Sequence, residues 1–194
     1  MLTLPRSLSL TPDQFAQVCA ANPEAVLELA ADGTLIEMTP TGGNTSARNS
    51  ALVFQLQSWA RTVHGWIVFE SSGGFRLADG SVRSPDASLV RLERWRALSE
   101  AERDGFPPLC PDLVVELASP SDQLEPLRQK MASYISNGAR LGWLLLPRRR
   151  TVEVWSSDPA TQAAQFSALS DASRLEATAE FPGLVIELEQ IWAG

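Results

Sequence analysis

Lysine is nearly missing from this sequence. Of its 16 basic residues, 15 are arginine and one is lysine, Lys130. A general bias towards arginine accounts for the depletion but leaves open why one position kept an ammonium. Chance retention is one reading. A site that needs a compact point charge, where a planar guanidinium would not fit, is the other. Cysteine is almost as scarce. Cys19 and Cys110 cannot form a disulfide framework and read as free thiols of a reducing compartment. The one histidine, His64, excludes a multi-histidine metal site and reads as a helix-end residue. Long apolar runs are absent too. The longest, Leu141–Leu146, is far short of the ~18 residues that cross a bilayer. The first ten residues contain Pro5 and no continuous apolar stretch, so no signal peptide is expected and a cytoplasmic location is.

What is present describes a globular chain. It has 194 residues, 44% hydrophobic and 20% charged, enough to bury a core without a metal or disulfide staple. We expect one domain over 1–194, with an N-terminal helix and hairpin over 1–43, a core over 44–146 and C-terminal strands over 147–194. The net charge of −7 argues against a polyanionic partner, but it is unevenly spread. Residues 1–60 carry −3, residues 61–150 carry +2 and residues 151–194 carry −6.

Thr11-Pro12-Asp13-Gln14 reads as a capped helix start. Asp32-Gly33 between Val26–Ala30 and Thr34–Met38 is a hairpin signal. Asn44–Val63 has an apolar stripe without Gly or Pro, hence a long helix. Strands are expected at Trp66–Glu70, Phe75–Leu77 turning into Val82, Ala87–Val90, Leu113–Ala118, Leu141–Leu146, Thr151–Trp155 and Leu184–Leu188. Leu92–Glu102 reads as one charged helix. Pro126 opens a helix running to about Ser136, with Leu127, Met131 and Tyr134 as its anchors. Ser156–Gln162 reads as a loop. The order is that of a mixed α/β domain with a sheet flanked by helices.

Glu116 stands inside the apolar run Leu113-Val114-Val115-Glu116-Leu117, where a carboxylate is costly unless compensated. Alternation puts Leu113, Val115 and Leu117 on the core face and Glu116 on the other, towards solvent or a cleft. Asp86, after Pro85, enters a neighbouring strand. Two carboxylates on adjacent strands with a lysine nearby suit a hard cation such as Mg²⁺. Taken alone, Asp86 is also ordinary Pro-Asp turn chemistry. Asp112 follows a proline as well, but lies on the same strand as Glu116 and reads as a structural residue. Arg148-Arg149-Arg150 reads as a solvated turn or a phosphate contact. The six tryptophans read as packing residues.

The spacing Asp86 to Glu116 is similar to a PD-(D/E)XK nuclease signature, except that Ala118 occupies the usual lysine position. The longer strings SSGGFRLADGSVRSPDASLVRLERW and PLCPDLVVELASPSDQLEPLRQKMASYISNGARLGWLLLPRRRTVEVW closely resemble the Uma-type restriction endonuclease family, as does LIEMTPTGGNTSARNSALVFQLQSWA. The resemblance spans roughly residues 25–190. It implies a restriction-endonuclease-like αβββαβ core and a lysine that has migrated to the following helix, at Lys130. It further implies an Mg²⁺- or Mn²⁺-dependent endonuclease that hydrolyses phosphodiester bonds. Asp86, Glu116 and the Leu117 carbonyl would hold the metal, and Lys130 would serve catalysis. Asn44 and Arg48, at the start of the first core helix, would contact substrate. The implied partner is nucleic acid, DNA first, with a two-fold homodimer as the default for cutting both strands. The rival from another class is a catalytically silent nucleic-acid-binding or interaction module on the same fold. Cleavage that a chelator abolishes separates the two.

Overall fold

The computed structural model describes residues 9–38 and 40–193. Helix α1 (Pro12–Ala21) begins where the sequence says. The Thr11 hydroxyl accepts from the Gln14 N–H at 3.2 Å, the Gln14 side chain accepts from the Thr11 N–H at 2.9 Å, and Pro12 takes the first turn. The helix buries Phe15 against Leu27, Leu29 and Val82. Strands β1 (Val26–Leu29) and β2 (Leu35–Met38) form the expected antiparallel hairpin. Asp32 accepts from the Thr34 N–H at 2.9 Å, and Gly33 takes a φ of +83° that side-chain-bearing residues resist.

Helix α2 (Gly43–Val63) is followed by β3 (Trp66–Glu70), β4 (Phe75–Arg76), β5 (Val82–Arg83) and β6 (Ala87–Arg91). Then come helices α3 (Leu92–Arg96) and α4 (Glu100–Asp104), strand β7 (Leu113–Leu117), helix α5 (Leu124–Ser136) and strand β8 (Leu141–Leu146). Strands β9 (Thr151–Ser157), β10 (Ala164–Ser170), β11 (Arg174–Glu176) and β12 (Val185–Glu187) precede the short helix α6 (Glu189–Trp192). The main sheet has the order β10-β9-β8-β7-β6-β3; only β7 and β8 pair in parallel, because α5 crosses between them. With β4, β5 and the short helices α3 and α4 set aside, α2-β3-β6-β7-α5-β8 is the αβββαβ core.

Two apolar layers sandwich this sheet. On one face Leu52, Leu56 and Trp59 of α2 pack on Leu89, Val115 and Trp143, with α6 and the β11–β12 pair closing the end. Full burial of a leucine such as Leu52 contributes about 1.5–3 kcal/mol. On the other face Met131, Tyr134 and Ile135 of α5 pack on Val114, Leu144 and Trp155. Arg128 of α5 adds a two-pronged ion pair to buried Glu153 of β9, through Nε at 3.0 and 3.2 Å.

The structure adds to and departs from the sequence reading in several places. Leu92–Glu102 is two helices, because Ser99 and Glu102 form a capping box that starts α4 afresh. The second face of β7 is covered by α5 through the expected anchors Met131 and Tyr134, so all five of its residues are buried, and of the two surroundings open to Glu116 the structure gives it the cleft. The expected loop at Ser156–Gln162 begins two residues later, since β9 runs to Ser157 and pairs with β10, whose mostly exposed face carries little periodic signal. Finally, the N-terminal hairpin is joined to the core: β1 pairs with β5, giving a second sheet of order β2-β1-β5-β4.

Candidate active site

That second sheet leans over the carboxyl end of β7. A cleft of about 970 Å³ opens there, between the hairpin, the start of α2, the loop at 119–123 and α5.

Asp86 lies between β5 and β6. Its Oδ2 accepts from the Leu117 N–H at 2.7 Å, which ties the start of β6 to the end of antiparallel β7. Glu116 is 4% exposed. Its Oε1 takes two donors from α5, the Lys130 ammonium at 2.8 Å and the Tyr134 hydroxyl at 3.0 Å. Lys130 and Tyr134 are four residues apart, so they share one helix face. The same ammonium lies 2.8 Å from Glu28 Oε1 and 3.4 Å from the Ser84 carbonyl. Glu28, on β1, is 2% exposed; it also accepts from the Ser84 N–H at 2.9 Å and from Arg83 at 3.0 Å.

Five ionisable side chains thus meet: Glu28, Asp86 and Glu116 against Arg83 and Lys130. Burial pushes Glu116 up to about 8, against the pull of Lys130, with the charges of Asp86 and Glu28 adding to the rise. Burial also raises Asp86, and the Leu117 N–H and Lys130 offset this only in part. For Glu28 burial is outweighed: Lys130, the Ser84 N–H and Arg83 hold its carboxyl below the usual range. Lys130 stays charged because Glu116 and Glu28 more than offset the desolvation that would lower it.

The oxygens left over define what the site can bind. Among the described residues, Asp86 Oδ1 and Glu116 Oε2 have no hydrogen-bond or ion-pair partner, and both residues line the cleft. Two free carboxylate oxygens beside an open cleft fit Mg²⁺, which keeps several of its waters. No group of three or more His, Cys, Asp or Glu residues is poised to hold a metal among the described residues.

Asp86, Glu116, Leu117 and Lys130 all line the cleft, and Asn44 joins them from the first turn of α2. Arg48, one turn on, does not; its Nε is buried without a hydrogen-bond partner. Asp112 sits at the far end of β7, 1% exposed, accepting from the Arg91 N–H at 2.9 Å and paired with Arg94 at 2.9 Å. Sequence reasoning missed Glu28 and Arg83, and took Tyr134 only as an anchor. Glu28 did carry a signal, a carboxylate inside the apolar strand Val26-Leu27-Glu28-Leu29, the same oddity that singled out Glu116.

The fold has a relative of known structure. A crystal structure of a "putative nuclease belonging to DUF820" from Anabaena variabilis superposes with a TM-score of 0.74 at 20% identity, covering 95% of this chain and 98% of the other. At that identity the likeness shows the fold. No curated protein matches the chain. No helix among the described residues is long and apolar enough to cross a membrane. The sequence model of the Uma2 family, described as "Putative restriction endonuclease", matches residues 12–189, nearly the whole chain, and the protein therefore belongs to that family.

Proposed function

We infer that the protein is a metal-dependent endonuclease that hydrolyses phosphodiester bonds of nucleic acid, with DNA as its substrate. The observation that carries this reading is the meeting of Lys130 with Glu116 at 2.8 Å beside the open oxygens of Glu116 and Asp86. Asp86 and Glu116 would hold Mg²⁺ or Mn²⁺, together with the Leu117 carbonyl. The ion, when bound, supplies Lewis-acid polarisation and a more acidic water.

The chain's own residues supply the rest. The Leu117 N–H fixes Asp86, and the Tyr134 hydroxyl fixes Glu116, so neither carboxylate must reorganise as charge moves. Lys130 would act as a fixed positive charge at the cleft wall, beside the phosphate and the attacking water. Glu28 holds that ammonium at the cleft wall while leaving the two open oxygens free. Asn44 stands where a substrate strand would pass. A homodimer would let two such clefts act on opposite strands.

The test is cleavage of plasmid and of labelled oligonucleotides by the purified protein. Turnover with Mg²⁺ or Mn²⁺, abolished by chelator and by Lys130→Ala, is expected. Binding without turnover under any divalent cation would establish the silent module instead.

A further inference from the structure

The cleft does not end at the two carboxylates. A second cavity of about 190 Å³ adjoins it across a shared wall of Ser119, Pro120, Asp122 and Leu127, and is lined on its other side by Arg148 and Arg149. These two arginines form the short turn after β8. Strands β7 and β8 are parallel, with Leu117 opposite Leu145, and the Ala118 N–H donates to the Leu145 carbonyl at 2.9 Å. The Glu116 strand and the arginine turn therefore belong to the carboxyl ends of adjacent strands, whose backbones lie about 5 Å apart, and Asp86, before antiparallel β6, stands at the same edge of the sheet. In open α/β sheets that edge is where ligands bind.

The arginines of this turn are not equivalent. Arg150 is engaged: it pairs with Asp171 and Glu189 at 3.2 Å each and lies over the Trp192 ring. Arg148 and Arg149 are exposed and make no ion pair among the described residues. Arg61, Arg96 and Arg103 are also without an ion pair among those residues, but they line neither cavity. The one acid in the shared wall, Asp122, turns its Oδ2 to the Ser119 N–H at 2.7 Å. In a chain of net charge −7, a polyanion must be held by local positive charge, and the adjoining cavity carries two guanidiniums without an ion pair among the described residues.

We propose that Arg148 and Arg149 form a backbone subsite that grips phosphates of the nucleic-acid strand next to the one held at Asp86, Glu116 and Lys130. The subsite rests on the nuclease reading of that cleft. Contacts of this kind position a strand and carry no sequence information.

Fluorescence anisotropy with labelled duplex oligonucleotides over a range of salt tests it, using the full chain without divalent cation. Arg148→Ala/Arg149→Ala is expected to weaken binding about tenfold at low salt. It should also flatten the slope of log K against log salt by about 2, since each lost phosphate contact removes roughly one released counterion. Arg148→Lys/Arg149→Lys should restore the slope. Arg96→Ala/Arg103→Ala, the same charge change outside both cavities, should leave it unaltered. Circular dichroism checks that each variant is folded. A double alanine variant that keeps wild-type affinity and slope, in a protein that cleaves DNA, overturns the subsite alone. A loss that the Arg96/Arg103 control matches overturns it as well, as a general charge effect. A wild type that neither binds nor cleaves overturns both the subsite and the nuclease reading.

Discussion

Lys130 and Glu28 meet at 2.8 Å although they come from opposite halves of the chain, one from the helix after the Glu116 strand and the other from the N-terminal hairpin. The contact makes the hairpin part of the site. Glu28→Gln keeps the shape and the acceptor for the Ser84 N–H but removes the charge facing Lys130 and Arg83. Breaking a buried pair this way costs about 3–5 kcal/mol, and less here because Lys130 retains Glu116. We expect a loss of about 2 kcal/mol in urea unfolding and a larger relative loss of cleavage. Combined with Lys130→Met, the loss should be smaller than the sum of the two single changes.

Glu116 sets a pH dependence. Its carboxyl is raised from 4.5 to about 8 in the folded chain, so the folded state holds a proton that the unfolded state releases. Its contribution to stability is complete below about pH 4.5 and is lost as pH rises through about 8. The metal-free protein should therefore lose melting temperature between pH 5 and 8, and Glu116→Gln should reduce that loss. A divalent cation must displace the same proton. Mg²⁺ or Mn²⁺ should raise the melting temperature more at pH 8.5 than at pH 6.5, with proton release measurable by calorimetry in buffers of different ionisation heat. No thermal response to millimolar Mg²⁺ or Mn²⁺ at either pH would exclude a metal site here.

Asp86 and Asp112 both follow a proline, yet the structure gives them opposite surroundings. Asp86→Ala strands the Leu117 N–H but also removes a carboxylate that burial disfavours, and should abolish metal-dependent turnover at a net cost of about 1 kcal/mol in unfolding. Asp112→Ala strands the buried Arg91 N–H and unpairs Arg94, and should cost about 3 kcal/mol or more in urea unfolding. A reversal of the two patterns would assign the metal to the wrong aspartate.

Lys130→Arg is the finer test of the lone lysine. The ammonium fits between two carboxylate oxygens at 2.8 Å each, beside the Tyr134 ring, in a side chain only 11% exposed. A planar fork cannot occupy that space without displacing Glu28 or Glu116. Cleavage should fall by two or more orders of magnitude in both Lys130→Arg and Lys130→Ala, while Mg²⁺ binding by calorimetry survives in Lys130→Ala. Near-full activity of Lys130→Arg would reduce the lysine to a generic positive charge.

Tyr134→Phe removes one donor to Glu116 and nothing else. Without that hydrogen bond the ionised carboxylate is less favoured, so the pH at which Mg²⁺ begins to bind should move upward, at a stability cost of about 1 kcal/mol. The same midpoint in both proteins would show that the hydroxyl only packs.

Some of this was written in short stretches of sequence. Thr11 and Gln14 cap α1, and Asp32-Gly33 turns the hairpin, because caps and turns depend on residues a few positions apart. The αβββαβ order and Glu116 in its apolar strand were legible for the same reason, while the place of Lys130 beside them came from the family resemblance and from its being the one lysine. Tertiary structure decided the rest. Nothing local says that β1 will pair with β5, and that pairing alone brings Glu28 to Lys130. Alternation along β7 places Glu116 on the face opposite Val115 and leaves solvent or a cleft open, and the anchors Met131 and Tyr134 mark the packed side of α5; the tertiary structure decides that the Glu116 face is a buried cleft wall. The Ser99 capping box could have been read and was obscured by the charged run around it, whereas the exposed strand β10 offered no periodicity to read. Periodicity reports which side of an element is apolar, while the partner that covers it is chosen by packing between segments far apart in the chain.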